Sequence, residues 1–248
     1  MIDIQDLHLT YPDGTHALKG INLNISKGEF FLICGANGSG KTTLIRLICG
    51  LLRPTSGSIR INGTDHPHDS RKIRQEVGMV FQDSDSQIVG ETVKEDVAFG
   101  PENLGLSAEE IRERVEWALR VMGLEGLEEK PCYLLSGGEK KRLAIAGILA
   151  MKPQTLLFDE PFSHLDYPGI QEVLRHMVRL HREGHTLAVT THDVEKVIAH
   201  VSRMAILHGG ELRELGPPGD LIPKLEHLGV RPPCYSILGK EKVSWLSE

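Results

Sequence analysis

Apolar positions in the first quarter of the chain alternate. Ile2, Ile4, Leu7 and Leu9, then Ile21, Leu23 and Ile25, follow the two-residue period of strands buried on one face. Two half-exposed, antiparallel strands are predicted there. The pattern then changes at Glu29-Phe30-Phe31-Leu32-Ile33-Cys34, an apolar run that reads as a strand covered on both faces. Thr43 to Leu52 (TLIRLICGLL) predicts a helix. Ser58 to Asn62 and Val77 to Phe81 predict further strands separated by a polar stretch, with Asn62-Gly63 as a hairpin turn.

From about Asp83 to Leu135 the pattern is helical. Ser107 with Glu110 three residues on forms a capping box, after which Ile111, Val115, Ala118, Leu119 and Met122 share one helix face. Glu110–Arg114 and Glu116–Arg120 are expected as i,i+4 pairs on the exposed side. A long helix is predicted from Lys140 to Met151. Strand and helix then alternate: Thr155 to Phe158 a strand, Gly169 to Glu183 a helix, Thr186 to Thr191 a strand, Val194 to Val201 a helix, and Met204 to Leu207 a last strand. The fold class read from this order is α/β. A mostly parallel sheet carries helices on both faces, with an antiparallel β portion before it and a helical insert within it. The expected organisation is a main domain over residues 1–215, its insert at about 83–150, and a short extension over 216–248 that contains Pro217-Pro218 and Pro232-Pro233.

Composition narrows the class. With 248 residues, 40% hydrophobic and 25% charged, the chain is of ordinary globular make-up. Its apolar runs stay well below the ~18 residues that suggest a membrane helix. Met1-Ile2-Asp3-Ile4 shows no basic region leading into an apolar stretch, so no secretory signal is expected. Cys34, Cys49, Cys132 and Cys234 form no Cys-x-x-Cys pair and suit a reducing compartment. A net charge of −6 argues against nucleic acid as a partner. Residues 91–129 hold eleven acids against four bases, which reads as a solvated helical face. His66 and His68 are a candidate surface metal pair.

Three segments carry chemistry. Gly35-Ala36-Asn37-Gly38-Ser39-Gly40-Lys41-Thr42 fits the phosphate-binding loop, between a predicted strand and helix as that loop requires. Its backbone N–H groups and the helix N-terminus gather an anion, Lys41 reaches the β- and γ-phosphates, and the Thr42 hydroxyl ligates Mg²⁺. Leu156-Leu157-Phe158-Asp159-Glu160 is an apolar strand ending in two carboxylates, at the strand end where α/β sheets bind ligands. Asp159 is placed to hold Mg²⁺ and Glu160 to activate a water. Leu135-Ser136-Gly137-Gly138-Glu139 opens a helix and offers a second anion site. Because residues 35–42 already wrap one nucleotide, the economical reading is that Ser136-Gly137-Gly138 completes the site of a second subunit.

With these segments in this order, the chain resembles the nucleotide-binding subunits of ABC transporters over nearly its whole length. The resemblance implies ATP and Mg²⁺ as ligands and ATP hydrolysis as the activity. It implies that Tyr11 stacks on adenine and that Thr43 belongs to the nucleotide site beside residues 35–42. Gln82 is then the glutamine that touches Mg²⁺ and the attacking water and relays contact with a membrane partner. Ser136, Gly137, Gly138 and Glu139 are the signature, and Glu139 stands where the family usually has Gln. Glu160 is the catalytic base, Asp166 lies in the loop Ser163-His164-Leu165-Asp166 at the dimer seam, and His192 is the switch histidine at the γ-phosphate. Phe162 and His164 depart from the small residues usual there.

Gln82-Asp83-Ser84-Asp85-Ser86-Gln87-Ile88-Val89-Gly90, Lys140-Lys141-Arg142-Leu143-Ala144-Ile145-Ala146-Gly147, and Gly229-Val230-Arg231-Pro232-Pro233 are similar to the ATPases of energy-coupling-factor importers for cobalt, nickel or B vitamins. The partners so implied are a second ATPase subunit, identical or paralogous, and integral membrane subunits, with the chain peripheral on the cytoplasmic face of the cell membrane. The alternative is a soluble ABC-type ATPase unconnected with transport. A GTPase is disfavoured because no Asn-Lys-x-Asp motif is present.

Overall fold

The computed structural model describes residues 1–66 and 70–246. Strands β1 (Ile2–Thr10), β2 (His16–Ile25), β4 (Ser56–Ile61) and β5 (Thr64–His66) form an antiparallel sheet in the order β2-β1-β4-β5. The second sheet contains β3 (Phe30–Cys34), β6 (Val77–Val80), β7 (Thr155–Asp159), β8 (Thr186–Thr191), β9 (Arg203–His208) and β10 (Glu211–Gly216). Its order is β10-β9-β3-β8-β7-β6, with every neighbouring pair parallel except the antiparallel β9–β10. The helices are α1 (Lys41–Ile48), α2 (Ser70–Glu76), α3 (Val93–Asn103), α4 (Ala108–Val121), α5 (Gly137–Leu149) and α6 (Tyr167–Arg182), with one-turn α7 (Pro218–Leu221) and α8 (Cys234–Ile237).

Alternation along the buried strands separates two cores. Phe30, Leu32, Leu156, Phe158, Leu187, Val189, Met204 and Ile206 point to one face of the parallel sheet. They pack there with Leu143 and Leu149 of α5, Val173 and Met177 of α6, and the insert residues Val97 and Leu119. The intervening Phe31, Ile33, Leu157, Ala188 and Leu207 point to the opposite face, against α1 and the antiparallel sheet. One side therefore anchors the phosphate loop and its helix, and the other anchors the insert.

Most predicted elements are present, and the departures have physical causes. The first helix stops at Ile48, where Leu51 and Leu52 turn back to donate to the Arg46 carbonyl. The polar stretch after Asn62 holds β5 and α2, both too short and polar to show a period. Val194 to Val201 is not an α-helix but a single 3-10 turn, Val194–Lys196, followed by further turns. Val194, Val197, Ile198 and Val201 are buried all the same, and their β-branched side chains disfavour the helix. Met204 to Leu207 is not the last strand. The edge strand β10 follows it, and its charged positions suit an edge better than a core. The capping box of α4 forms, but Arg120 pairs with Glu125 (3.3 Å) and Arg114 donates to the Ala150 carbonyl (3.4 Å), in place of the expected i,i+4 partners. His68 lies outside the described residues.

The residues after β10 lie back on the domain. The Trp245 ring meets Tyr167 at 5.5 Å, the Trp245 carbonyl accepts from Gln171 (2.9 Å), and the Ser244 hydroxyl bonds His200 (2.9 Å). Among the described residues no helix is long and apolar enough to cross a membrane. Phe158→Ala should cost about 3–5 kcal/mol of unfolding free energy, because the ring is fully buried next to Asp159; urea denaturation checks this.

Candidate functional site

Three parallel strands end together. Cys34 of β3 is in register with Thr191 of β8, and Asp159 of β7 with Thr190. The next residues, Gly35, Glu160 and His192, therefore leave the sheet side by side. At Gly35 a Cβ would stand 2.3 Å from the Leu207 carbonyl oxygen and 2.5 Å from the Ser39 hydroxyl, so no side chain fits. Gly40 caps α1 with φ 101°, in the left-handed region where glycine is at ease. Lys41, the first residue of α1, is 6% exposed and donates to the carbonyls of Gly35 (2.8 Å) and Ala36 (3.1 Å). Its ammonium lies 3.8 Å from Glu160 Oε1. Burial pulls the Lys41 ammonium below the usual lysine range, opposed by Glu160 and Asp159.

The hydroxyls of Thr42 (3.0 Å) and Thr190 (2.7 Å) both donate to Asp159 Oδ1. Glu160 has φ 43°, an uncommon value for a side-chain-bearing residue, and its N–H is held by the Thr190 carbonyl at 3.0 Å. Its carboxylate accepts from the Thr191 hydroxyl (2.9 Å) and the His192 amide (3.0 Å), and its Oε1 is 2.9 Å from His192 Nδ1. Tyr11 bonds Thr43 through the two hydroxyls at 3.1 Å. Tyr11, Asn37, Gly38, Gly40, Lys41, Thr42, Thr43, Gln82, Glu160 and His192 line one open crevice of about 570 Å³. The buried Ser39 hydroxyl has no hydrogen-bond partner among the described residues. A phosphate chain fits this cradle. It would give Lys41 and Ser39 oxygen partners, while Thr42 and Asp159 present the oxygen donors that Mg²⁺ prefers.

A second crevice, of about 610 Å³, is lined by Ser136, Gly137, Gly138, Glu139, Arg142, His164, Leu165, Asp166 and Glu172. Ser136 caps α5 in a full capping box: its hydroxyl accepts from the Glu139 N–H (3.2 Å), and Glu139 accepts from the Ser136 N–H (2.7 Å). Glu139 is held below the ordinary glutamate range, first by that Ser136 bond and then by Lys130 at 3.3 Å. The acid at this position thus serves the cap. Asp166 caps α6 by accepting from Gly169 (3.0 Å), and Arg142 pairs with Glu172. Phe162 lies in the core. The two crevices share no lining residue. The chain therefore gathers Asn37, Gly38, Gly40 to Thr43, Tyr11, Gln82, Glu160 and His192 at one place, and Ser136 to Glu139 with Asp166 at another.

Residue typing along the sequence passes over Thr190, Thr191 and Lys141. The threonines had one signal, two hydroxyls following the apolar Leu187-Ala188-Val189 just before His192. Lys141 enters the sequence reading only within the run Lys140 to Gly147, with no role of its own. It is 2% exposed and donates to the carbonyls of Phe81 (3.0 Å) and Gln82 (2.8 Å). Burial pushes its pKa down to about 8, with Asp83 and Asp159 opposing.

Known proteins share this fold. A family model described as ABC transporter matches residues 18–163. The chain is 44% identical to the energy-coupling factor transporter ATP-binding protein EcfA of Methanocaldococcus jannaschii over 229 residues, 91% of this chain and 82% of that protein. It is 43% identical to EcfA of Methanococcus maripaludis over the same shares of both chains. CbiO1 of Clostridium perfringens, part of the ABC transporter complex CbiONQ, superposes with a TM-score of 0.81 at 39% identity, covering 91% of this chain and 94% of that one. A dimeric ATP-binding cassette in a post-hydrolysis state bound to ADP and Pi superposes with a TM-score of 0.78 at 32% identity, covering 88% and 98%.

Lys41→Ala should weaken ATP binding about tenfold to a hundredfold, as expected for losing a charged hydrogen-bond donor. Calorimetric titration of the isolated subunit checks this.

Proposed function

This chain belongs to the ABC transporter family, and on that premise we propose that it is the ATP-hydrolysing engine of an energy-coupling-factor importer for cobalt or nickel ions or a B vitamin. It works with a second ATPase subunit and with integral membrane subunits, peripheral to the membrane on its cytoplasmic face. The observation that carries this reading is the separation of the crevices. Lys41, Glu160 and His192 share one, while the helix end at Ser136 opens on another, so a complete ATP site needs two chains.

In the proposed mechanism Tyr11 stacks on adenine and the amides of residues 35–43 wrap the phosphates. Lys41 exchanges the Gly35 and Ala36 carbonyls for β- and γ-phosphate oxygens. Thr42 and Asp159 would hold Mg²⁺, with Gln82 beside them on the crevice lining, and the ion would supply neutralisation of phosphate charge. Thr190, bonded to the same oxygen as Thr42, fixes Asp159 for that task. Glu160 accepts a proton from the water that attacks the γ-phosphorus, its carboxylate aimed by Thr191 and the His192 amide. His192 is exposed on the crevice lining, where it would contact the γ-phosphate. Ser136, Gly137 and Gly138 of the other subunit complete the phosphate shell with the N-terminal N–H groups of α5, and Asp166 meets the seam.

Closure of two such subunits then moves the membrane partner. An apolar groove of about 550 Å³ lies between the parallel sheet and the insert, with Val77, Met79, Phe81 and Ile148 in its walls. Leu51, Val89 and Phe99 stand exposed on its lining. It adjoins Gln82 and is the proposed dock for a membrane subunit.

Glu160→Gln should retain ATP binding, lower turnover by about 10²–10⁴-fold and trap a dimer visible by size exclusion; normal turnover would refute the assignment of the base. Ser136→Arg should abolish hydrolysis and leave the nucleotide affinity of the isolated subunit intact. A parallel loss of affinity in that isolated subunit would show that Ser136 acts within its own chain.

A further inference from the structure

Lys141 carries out no step of the mechanism above, yet it is a fully buried cation. Taking an ammonium out of water is costly unless its donors are met. Among the described residues no ion pair includes Lys141. Its Nζ is met instead by two successive carbonyls, Phe81 and Gln82, where β6 runs into the segment that bears the Gln82 side chain. Gln87 ties the same seam from the other side. Its Oε1 accepts from the Phe81 N–H (2.8 Å), and its amide faces the carbonyls of Met79 and Ala144, each at 3.4 Å. Lys141 and Ala144 lie one turn apart on α5, and Ser136 caps that same helix five residues before Lys141. A helix rises about 1.5 Å per residue, so the pin and the cap are about 7–8 Å apart on one rigid rod.

We propose that Lys141 is a positioning residue for Gln82, pinning its backbone to the helix whose N-terminus presents the signature. The ammonium supplies three donors, enough to hold two carbonyls at once. Gln87 fastens the strand at Phe81 and Met79 and makes no such bond to Gln82. When a second subunit's nucleotide draws on the Ser136 end of α5, the pin carries the displacement to Gln82, so that hydrolysis and signature engagement stay in step. This inference rests on the reading of Gln82 and Ser136 as parts of the ATPase site.

The test uses the purified full chain with ATP and Mg²⁺. Lys141→Met keeps the stem and removes the ammonium. It should lower kcat about tenfold or more, with KM changed by less than about twofold. In a Gln82→Ala background the same substitution should cost less than about twofold more, because the two residues act as one unit. Without nucleotide, amide hydrogen exchange should quicken over residues 80–87 while α5 keeps its protection. Parent-like kcat, additive losses, or exchange that rises along α5 instead would overturn the proposal. If Lys141→Met does not fold, Lys141→Gln is read the same way, since its shorter amide reaches at most one of the carbonyls. Failure of both to fold would make the lysine a folding element and overturn the proposal. A parent chain without ATPase activity would sink the underlying reading, whereas equal turnover in parent and variant sinks this inference alone.

Discussion

The chemistry of this molecule depends on three parallel strands that stop in register. Because Cys34 lies beside Thr191 and Thr190 beside Asp159, the residues that leave β3, β7 and β8 emerge at one level. Hydrogen bonding then converts that alignment into a site. Thr42 and Thr190 meet on one oxygen of Asp159, and the amide and hydroxyl beside His192 meet on Glu160. The two carboxylates are tolerable at this depth because each is supplied with donors and Lys41 stands 3.8 Å from one of them. Neither the loop nor either acid would have a fixed place on a sheet whose strands ended unevenly.

The second half of the machinery uses a different kind of organisation. Ser136 and Asp166 each cap a helix with a side-chain oxygen, so the N-termini of α5 and α6 open on one crevice. Two helix ends with partly unsatisfied N–H groups favour an anion. On the proposed reading that anion belongs to the nucleotide of a second subunit, a reading supported by the dimeric state of a solved cassette relative. In that proposal the two crevices are complementary half-sites joined by a common core, since the insert's own helices pack into the same hydrophobic cluster as α6 and the sheet.

Much of this was legible beforehand. The glycine spacing, the paired acids at an apolar strand end and the serine before two glycines are local patterns, and local patterns survive in one dimension. What escaped depends on neighbours that only the fold supplies. Val194 to Val201 has the right apolar spacing for a helix, but its buried side chains are β-branched and it folds as turns. β10 is polar because it is an edge. Lys141 shows no role of its own until two carbonyls sixty residues away arrive to receive it. Thr190 gains its role only because β7 lies beside β8 with Asp159 opposite it. The i,i+4 pairs of α4 failed for the same reason: partners outside the helix, Glu125 and the Ala150 carbonyl, were better placed.

The alternation that divides the parallel sheet between two cores constrains how such a chain can diverge. Substitutions in β3, β7 or β8 can be absorbed one at a time by their own core. Adding or deleting a single residue cannot, because it would turn every following side chain to the wrong face and carry Asp159 or Glu160 out of its slot. Length is therefore the inherited quantity in these strands. Drift in length belongs to the segment beyond β10, where among the described residues no strand end has to meet another.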